Sequence, residues 1–309
     1  MRNAFAEELV ELAKENKNIF VLSGDIGNRL FDRYKELFPD RFLNCGVAEQ
    51  NMMGVAAGMA LTGLRPVAYT ITPFITMRCF EQIRNDLCYH NLPVVIVGVG
   101  SGLCYAVCGP THHSCEDIAI LRALPNMTVI CPGDAYEVKA ALKAALGHSG
   151  PVYIRLGKKR EPLVHKKIPD FKIGRGITVK EGDDVCLLGC GNILPVAVKA
   201  GEVLEKKGVS AKVVSFHTVK PLDKDLLSEA FSRFKLVVTL EEHSLLGGFG
   251  GAVAEFLADQ PEQKARLLRI GTPDAFMDTT GDHEYARNEL GLTPDAIVKK
   301  ILDIYGVKQ

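Results

Sequence analysis

The sequence predicts an α/β protein built of two three-layer α/β/α domains with mainly parallel sheets, and three observations predict it. Short β-branched runs alternate with longer stretches of helical spacing, as strand–helix–strand units do. Those runs are apolar throughout instead of alternating, as expected of strands covered on both faces. The pattern pauses over 157–182, where Lys158, Lys159, Arg160 and two prolines replace any long apolar run, and then restarts. The division expected is a first domain over 1–160, a linker over 161–180 and a second domain over 181–309.

Taken in order, Phe5, Leu9, Leu12 and Ala13 recur at helical spacing and make an acidic amphipathic helix of the N-terminus. Ile19-Phe20-Val21-Leu22 follows as a buried strand that ends at Gly24-Asp25. Val67-Ala68-Tyr69, Val94-Val95-Ile96-Val97, Thr128-Val129-Ile130 and Val152-Tyr153-Ile154 are the further strands of the first set. After the pause, Val185-Cys186-Leu187-Leu188 is a strand, 196–204 a helix, and Val213-Val214-Ser215 and Leu236-Val237-Val238-Thr239-Leu240 are strands. A last helix runs over 293–305, with the Thr293 hydroxyl at its N-cap and Pro294 at its first position.

Composition narrows the function. Nearly half of the 309 residues are apolar, so each domain can bury a core. The 37 basic and 37 acidic side chains cancel without a block of one sign, which argues against nucleic-acid and membrane-surface partners. No apolar run is long enough to span a bilayer, and the N-terminus lacks the apolar core of a signal peptide. Nine cysteines, none in a Cys-x-x-Cys pair, fit free thiols in the cytoplasm better than a disulfide framework.

The chemistry concentrates in three segments. Residues 44–60 read as a strand end, a turn at Gly46 and a helix opening at Glu49. Gly54, Ala56, Ala57, Gly58 and Ala60 leave that helix thin, so something packs close to its backbone. On residues alone, Glu49 is a first-turn acid that complements the helix dipole. The second segment is Thr72-Pro73-Phe74-Ile75-Thr76-Met77-Arg78-Cys79-Phe80, whose aromatics at helical spacing suit a core equally well. The third is a Gly-rich loop after a strand, running from Gly98-Val99-Gly100 to Gly109-Pro110-Thr111-His112-His113. α/β proteins place substrate sites in such loops. Cys108, His112, His113 and Cys115 are also zinc-type ligands, at a spacing poor for a structural zinc site, and no thiol is marked as a nucleophile by a nearby base.

Together these segments resemble the thiamine-diphosphate enzymes of the transketolase group, which also holds deoxyxylulose-phosphate synthases and the β subunits of 2-oxo acid dehydrogenases. The resemblance covers nearly the whole chain. Its specific motifs lie in the first half, which is similar to the pyrimidine-binding domain. The second half is similar to the transketolase C-terminal domain through 215–223 and 241–250, expected to be structural. By this resemblance Glu49 bonds a ring nitrogen of the cofactor's aminopyrimidine and controls its tautomer, for which the carboxyl must be buried. Phe74, with Phe80 next, stacks on that ring. His112 is the acid–base group at the substrate's oxygens, with His113 beside it in place of the usual glutamine. Arg155 and Lys158, following a strand, are candidates to hold a distal phosphate, or else solvated surface charges.

What the chain lacks matters as much. The diphosphate-binding domain of full-length transketolases carries Gly-Asp-Gly. Here Gly24-Asp25, Gly133-Asp134, Gly182-Asp183 and Gly281-Asp282 are each followed by another residue. The resemblance thus implies a C-terminal subunit of a split transketolase, inactive alone. Thiamine diphosphate and Mg²⁺ would be completed by a separate N-terminal subunit, in a two-plus-two assembly around a homodimer, with no metal held by this chain's own residues. The reaction implied is transfer of a two-carbon ketol unit from a ketose phosphate to an aldose acceptor. The Gly-Pro-Thr-His run favours transketolase or synthase over dehydrogenase. Ser101 stands where the synthases have arginine, and Cys108 where transketolases have aspartate, which allows an unusual ketose. A degenerate half-enzyme acting as scaffold is the non-enzymatic alternative.

Overall fold

Helix α1 (Arg2–Glu15) forms because Phe5, Leu9, Val10 and Ala13 fall on one face, and the fold buries that face. The structure is a computed structural model that describes residues 1–27, 29–158, 161–260 and 265–306. After α1 come β1 (Ile19–Ser23), α2 (Asp32–Leu37), β2 (Phe42–Asn44), α3 (Glu49–Leu61), β3 (Arg65–Ile71) and α4 (Thr72–Met77). Then α5 (Phe80–Gln82) runs on as a π-helix over Ile83–Tyr89 to β4 (Val95–Val99). The first half ends with α6 (Asp117–Arg122), β5 (Thr128–Ile130), α7 (Ala135–Gly147) and β6 (Val152–Leu156).

The second half opens with β7 (Ile177–Lys180), β8 (Val185–Cys190), α8 (Leu194–Lys206), β9 (Ala211–Ser215) and β10 (Thr218–Lys220). It closes with α9 (Lys224–Arg233), β11 (Leu236–Ser244), α10 (Phe249–Ala258), β12 (Arg266–Thr272), α11 (His283–Glu289) and α12 (Pro294–Tyr305). Thr293 is the N-cap of α12, as expected, but its hydroxyl makes no capping bond.

Two sheets result, in the orders β10-β5-β6-β4-β3-β1-β2 and β12-β11-β8-β9-β7. Every pairing is parallel except β10 with β5 and β7 with β9. The chain is therefore mixed α/β with two mainly parallel sheets, the class the sequence predicts. One face of the first sheet is covered by α1 and α7 through Phe5, Leu9, Val138 and Leu142. Its other face packs on Met52, Met53, Ala56 and Ala60 of α3. That cluster continues without a break into Leu188, Val214, Phe231 and Phe249 of the second half, so the two sheets share a core. Helices α8 and α12 cover the far side of the second sheet.

Two elements depart from the sequence reading. Strand β7 lies inside the stretch read as linker, because four residues at an antiparallel edge carry too little pattern to be read alone. Strand β10 belongs in sequence to the second half, yet it pairs with β5 of the first sheet, with Val219 buried beneath it. The segment before β7 is also tied down. Val164 and His165 donate backbone N–H groups to Asp134, the N-cap of α7, at 2.9 and 2.8 Å. Among the described residues no helix is long and apolar enough to cross a membrane.

Candidate active site

A turn at Gly46, with φ of 71°, directs the chain from β2 into α3, where a residue with a Cβ would be strained. Glu49 then opens the helix with its side chain turned inward, only 4 % exposed. It borders a hollow of about 410 Å³ lined by Val47, Ala48, Gln50, Asn51 and Arg78. Arg78 Nη1 donates to both Glu49 oxygens at 3.2 and 3.3 Å, and its guanidinium lies 4.0 Å over the Phe74 ring. The Phe74 ring meets His112 edge-on at 5.2 Å between centroids, and His112 meets Tyr105 at 6.1 Å. Lys158 Nζ stands 4.3 Å over the Tyr105 ring. Glu49, Phe74, His112 and Lys158 thus fall on one line of touching groups. Arg78 and Tyr105, which sequence reasoning did not single out, are the links between them.

The loop 100–116 carries His112. Its neck is closed by Gly102 and Ser114, which exchange two backbone hydrogen bonds of 3.0 Å. A side chain at Gly100 is excluded, since its Cβ would sit 1.8 Å from the Tyr105 ring. The second sheet grips the same neck. Leu103 N–H donates to Glu242 at 3.2 Å, and Ser244 N–H donates to the Cys115 carbonyl at 2.8 Å. Burial pushes the Glu242 carboxyl up, but Arg287 and His283 overcome it and hold the group well below the usual carboxylate range. Thr111 Oγ1 lies 2.9 Å from His112 Nδ1 and fixes that ring.

The expectation for Arg155 changes. Arg155 is 2 % exposed and turned into the protein. Its Nε bonds Asp117 at 2.7 Å, and its Nη2 bonds the carbonyls of Ser114 and Glu242, each at 2.9 Å. It is a buried tie between the two sheets, not a receptor for a distal phosphate. His113 leaves His112 and faces a separate crevice shared with Leu103, Cys115 and Phe276. His112 is not among the residues that line that crevice. Phe80 is half-buried and packs against the core cluster that holds Met52 and Met53 of α3. The zinc-type quartet of Cys108, His112, His113 and Cys115 does not gather either. Among the described residues the three donors that converge are Cys104, Glu242 and His283, where Arg287 already neutralises the carboxylate. Lys159 and Arg160 lie outside the described residues.

The glycine run at α10 meets an internal anion. Glu241 is buried and accepts N–H bonds from Phe249 at 2.6 Å and Gly250 at 2.7 Å, so this helix N-terminus is already filled. Burial raises the Glu241 carboxyl from 4.5 to about 7 against the pull of those two donors. Between these values the folded chain keeps a proton that the unfolded chain has released, so this group's stabilisation falls as pH rises through the window. Glu241→Gln removes the titration, and the stability of wild type relative to the variant should drop by about 3 kcal/mol from pH ~4.5 to ~7. Denaturant melts of both proteins at either end of the window check this, and parallel pH dependences would refute it.

With this geometry established, comparison with known proteins decides the family. The family profile described as transketolase, pyrimidine binding domain, matches residues 1–162, and the one described as transketolase, C-terminal domain, matches residues 174–297. The chain belongs to the transketolase family. It is 39 % identical over 306 residues to a protein described as a transketolase C-terminal section in Methanocaldococcus jannaschii, covering 98 % of this chain and 95 % of that one. A solved split-gene transketolase, an inactive β4 tetramer, superposes with a TM-score of 0.91 at 39 % identity, covering 100 % of this chain and 99 % of that one. The 1-deoxy-D-xylulose-5-phosphate synthase of Desulfotalea psychrophila is 36 % identical over 306 residues, 97 % of this chain but 47 % of the synthase. The chain thus spans about half of that synthase and nearly all of the split section. Within the transketolase family it corresponds to the C-terminal section of a split enzyme.

Proposed function

We propose that this chain is the pyrimidine-side subunit of a thiamine-diphosphate transketolase, inactive until a separate N-terminal subunit supplies the diphosphate and Mg²⁺ site. The observation that carries the reading is the buried Glu49 carboxylate at the edge of a hollow, joined through Arg78 to the Phe74 ring and the His112 edge. These residues fit the cofactor's aminopyrimidine. Glu49 offers a desolvated oxygen for a proton shared with a ring nitrogen, and Phe74 offers a half-buried face on which a flat heterocycle keeps its orientation. When bound, thiamine diphosphate supplies the electron sink that lets a carbon–carbon bond beside a carbonyl break. His112, held at Nδ1 by Thr111, presents Nε2 to give or take a proton at a substrate oxygen. Lys158, over the Tyr105 ring, would draw a distal anion toward the same line.

Residues 1–160 would form the cofactor-facing domain, 161–176 the connection, and 177–309, with β7 in its sheet, a domain that braces the His112 loop. Both a missing motif and an exposed face point to partners. No Gly-Asp-Gly occurs in the sequence. On α3 a Cβ at Gly54 or Gly58 would meet nothing within 4 Å, and Val47 and Leu61 are 70 % and 69 % exposed. The glycine face of α3 therefore faces outward, which supports a two-plus-two assembly with a second copy at its centre. The inactive β4 state of the split-gene relative supports inactivity of this chain alone. The nine free thiols suit the cytoplasm.

Similarity to the synthases supports a second reading, but their arginine position is Ser101 here, buried with its hydroxyl donating to the Leu156 carbonyl at 2.6 Å. Calorimetric titration of thiamine diphosphate with Mg²⁺ into this chain, alone and then with a chain carrying Gly-Asp-Gly, tests the proposal. Binding only in the mixture is expected. No binding in either would favour the scaffold reading.

A further inference from the structure

We infer that Arg78 sets the chain's affinity for the cofactor ring, because its guanidinium holds the ring's place while no ring is bound. The inference rests on the reading of Glu49 and Phe74 just given. Arg78 directly follows α4, and its guanidinium carbon stands 4.0 Å from the centre of the Phe74 ring. The same group reaches both Glu49 oxygens, at 3.2 and 3.3 Å. A flat, nitrogen-bearing cation thus makes the two contacts a flat nitrogen heterocycle would make: a stack on Phe74 and an N–H bond to a buried carboxylate. The guanidinium spans both Glu49 oxygens and covers one face of Phe74, so a ring that takes that face and one of those oxygens displaces it.

The burial pattern says which group yields. Glu49 is fixed in the first turn of α3 and its side chain is 4 % exposed, whereas the Arg78 side chain is 47 % exposed. Arg78 also lines the hollow that Glu49 borders, so it has solvent and room to turn into. The device has a physical reason. A carboxylate buried without a partner is costly, and Arg78 compensates Glu49 in the chain that has no cofactor. Displacing the guanidinium breaks a half-exposed ion pair and a half-exposed cation–π stack, together about a tenfold effect on affinity.

Arg78→Met keeps the apolar stem and removes the guanidinium. Titration of thiamine diphosphate with Mg²⁺ into the assembled pair of chains, wild type against Arg78→Met, should show about tenfold tighter binding by the variant. Unchanged or weaker binding by the variant, beside measurable binding by wild type, would overturn the inference and leave the proposed function standing. No binding by either would overturn the proposed function, and the inference with it. A second readout needs no cofactor. The Arg78→Met chain alone should melt below wild type, since Glu49 loses its partner, and an unchanged midpoint counts against the inference as directly. Arg78→Gln repeats both measurements should the methionine variant fail to fold.

Discussion

Glu49→Gln in the assembled pair is expected to lower turnover of ketol transfer by about 10³-fold, with assembly and fold retained. Glutamine has the shape of glutamate and still fits the first turn of α3. It cannot share a proton with a ring nitrogen, because its amide does not titrate. The cost to the fold is small. The ion partner of Glu49 is Arg78, whose side chain is 47 % exposed and can return to water. Such a half-exposed pair contributes about 1 kcal/mol or less. Loss of turnover with an intact melt therefore separates a chemical role from a structural one. Glu49→Ala should be as inactive, with a slightly lower melt because the side-chain volume goes too. Turnover within tenfold of wild type in either variant would remove Glu49 from the chemistry.

The site was legible in the sequence where a role needs a residue type at a fixed local position. Glu49 had to open a helix after a glycine turn, and it does. The strands were legible where they are covered on both faces, as in β4 and β8, which are buried along their whole length. Short strands were not, because partners distant in sequence decide them. Phe42, Leu43 and Asn44 form β2 only because β1 offers an edge, and Thr218 forms β10 only because β5 does. Contacts that cross loops were invisible for the same reason. Arg78 precedes His112 by 34 positions, and Tyr105 precedes Lys158 by 53, so no local spacing joins them. Arg155 misled for a related cause. A basic residue near a strand end reads as a surface charge until its acid, Asp117, is known to sit beneath it.

That misreading sets the other large expected effect. Arg155→Leu should cost about 3–5 kcal/mol of stability, because it leaves the Asp117 carboxylate buried without its counter-ion. Asp117 is 0 % exposed. Burial pushes its carboxyl up, yet the Arg155 charge overcomes this and holds it below the usual range, so the folded chain relies on the ionised form. Tyr153 O–H donates to the same carboxylate at 2.6 Å, too little to replace a full charge. The loss would not stay local. Arg155 also ties the Ser114 carbonyl at the neck of the His112 loop to the Glu242 carbonyl of the second sheet. A guanidinium reading substrate would behave otherwise, with its removal weakening apparent substrate affinity while the melt stayed put. Lys158→Met is the matched control. Lys158 lies on the Tyr105 ring, and among the described residues no buried acid pairs with it, so its variant should keep the melt and move only the kinetics. Denaturant unfolding of the two variants side by side decides between a tie and a receptor. A melt for Arg155→Leu within about 1 kcal/mol of wild type would restore the receptor. The double variant Asp117→Leu/Arg155→Leu locates the source of the cost. If an uncompensated charge causes the loss, removing both partners recovers part of the stability, whereas a loss due to packing alone would deepen.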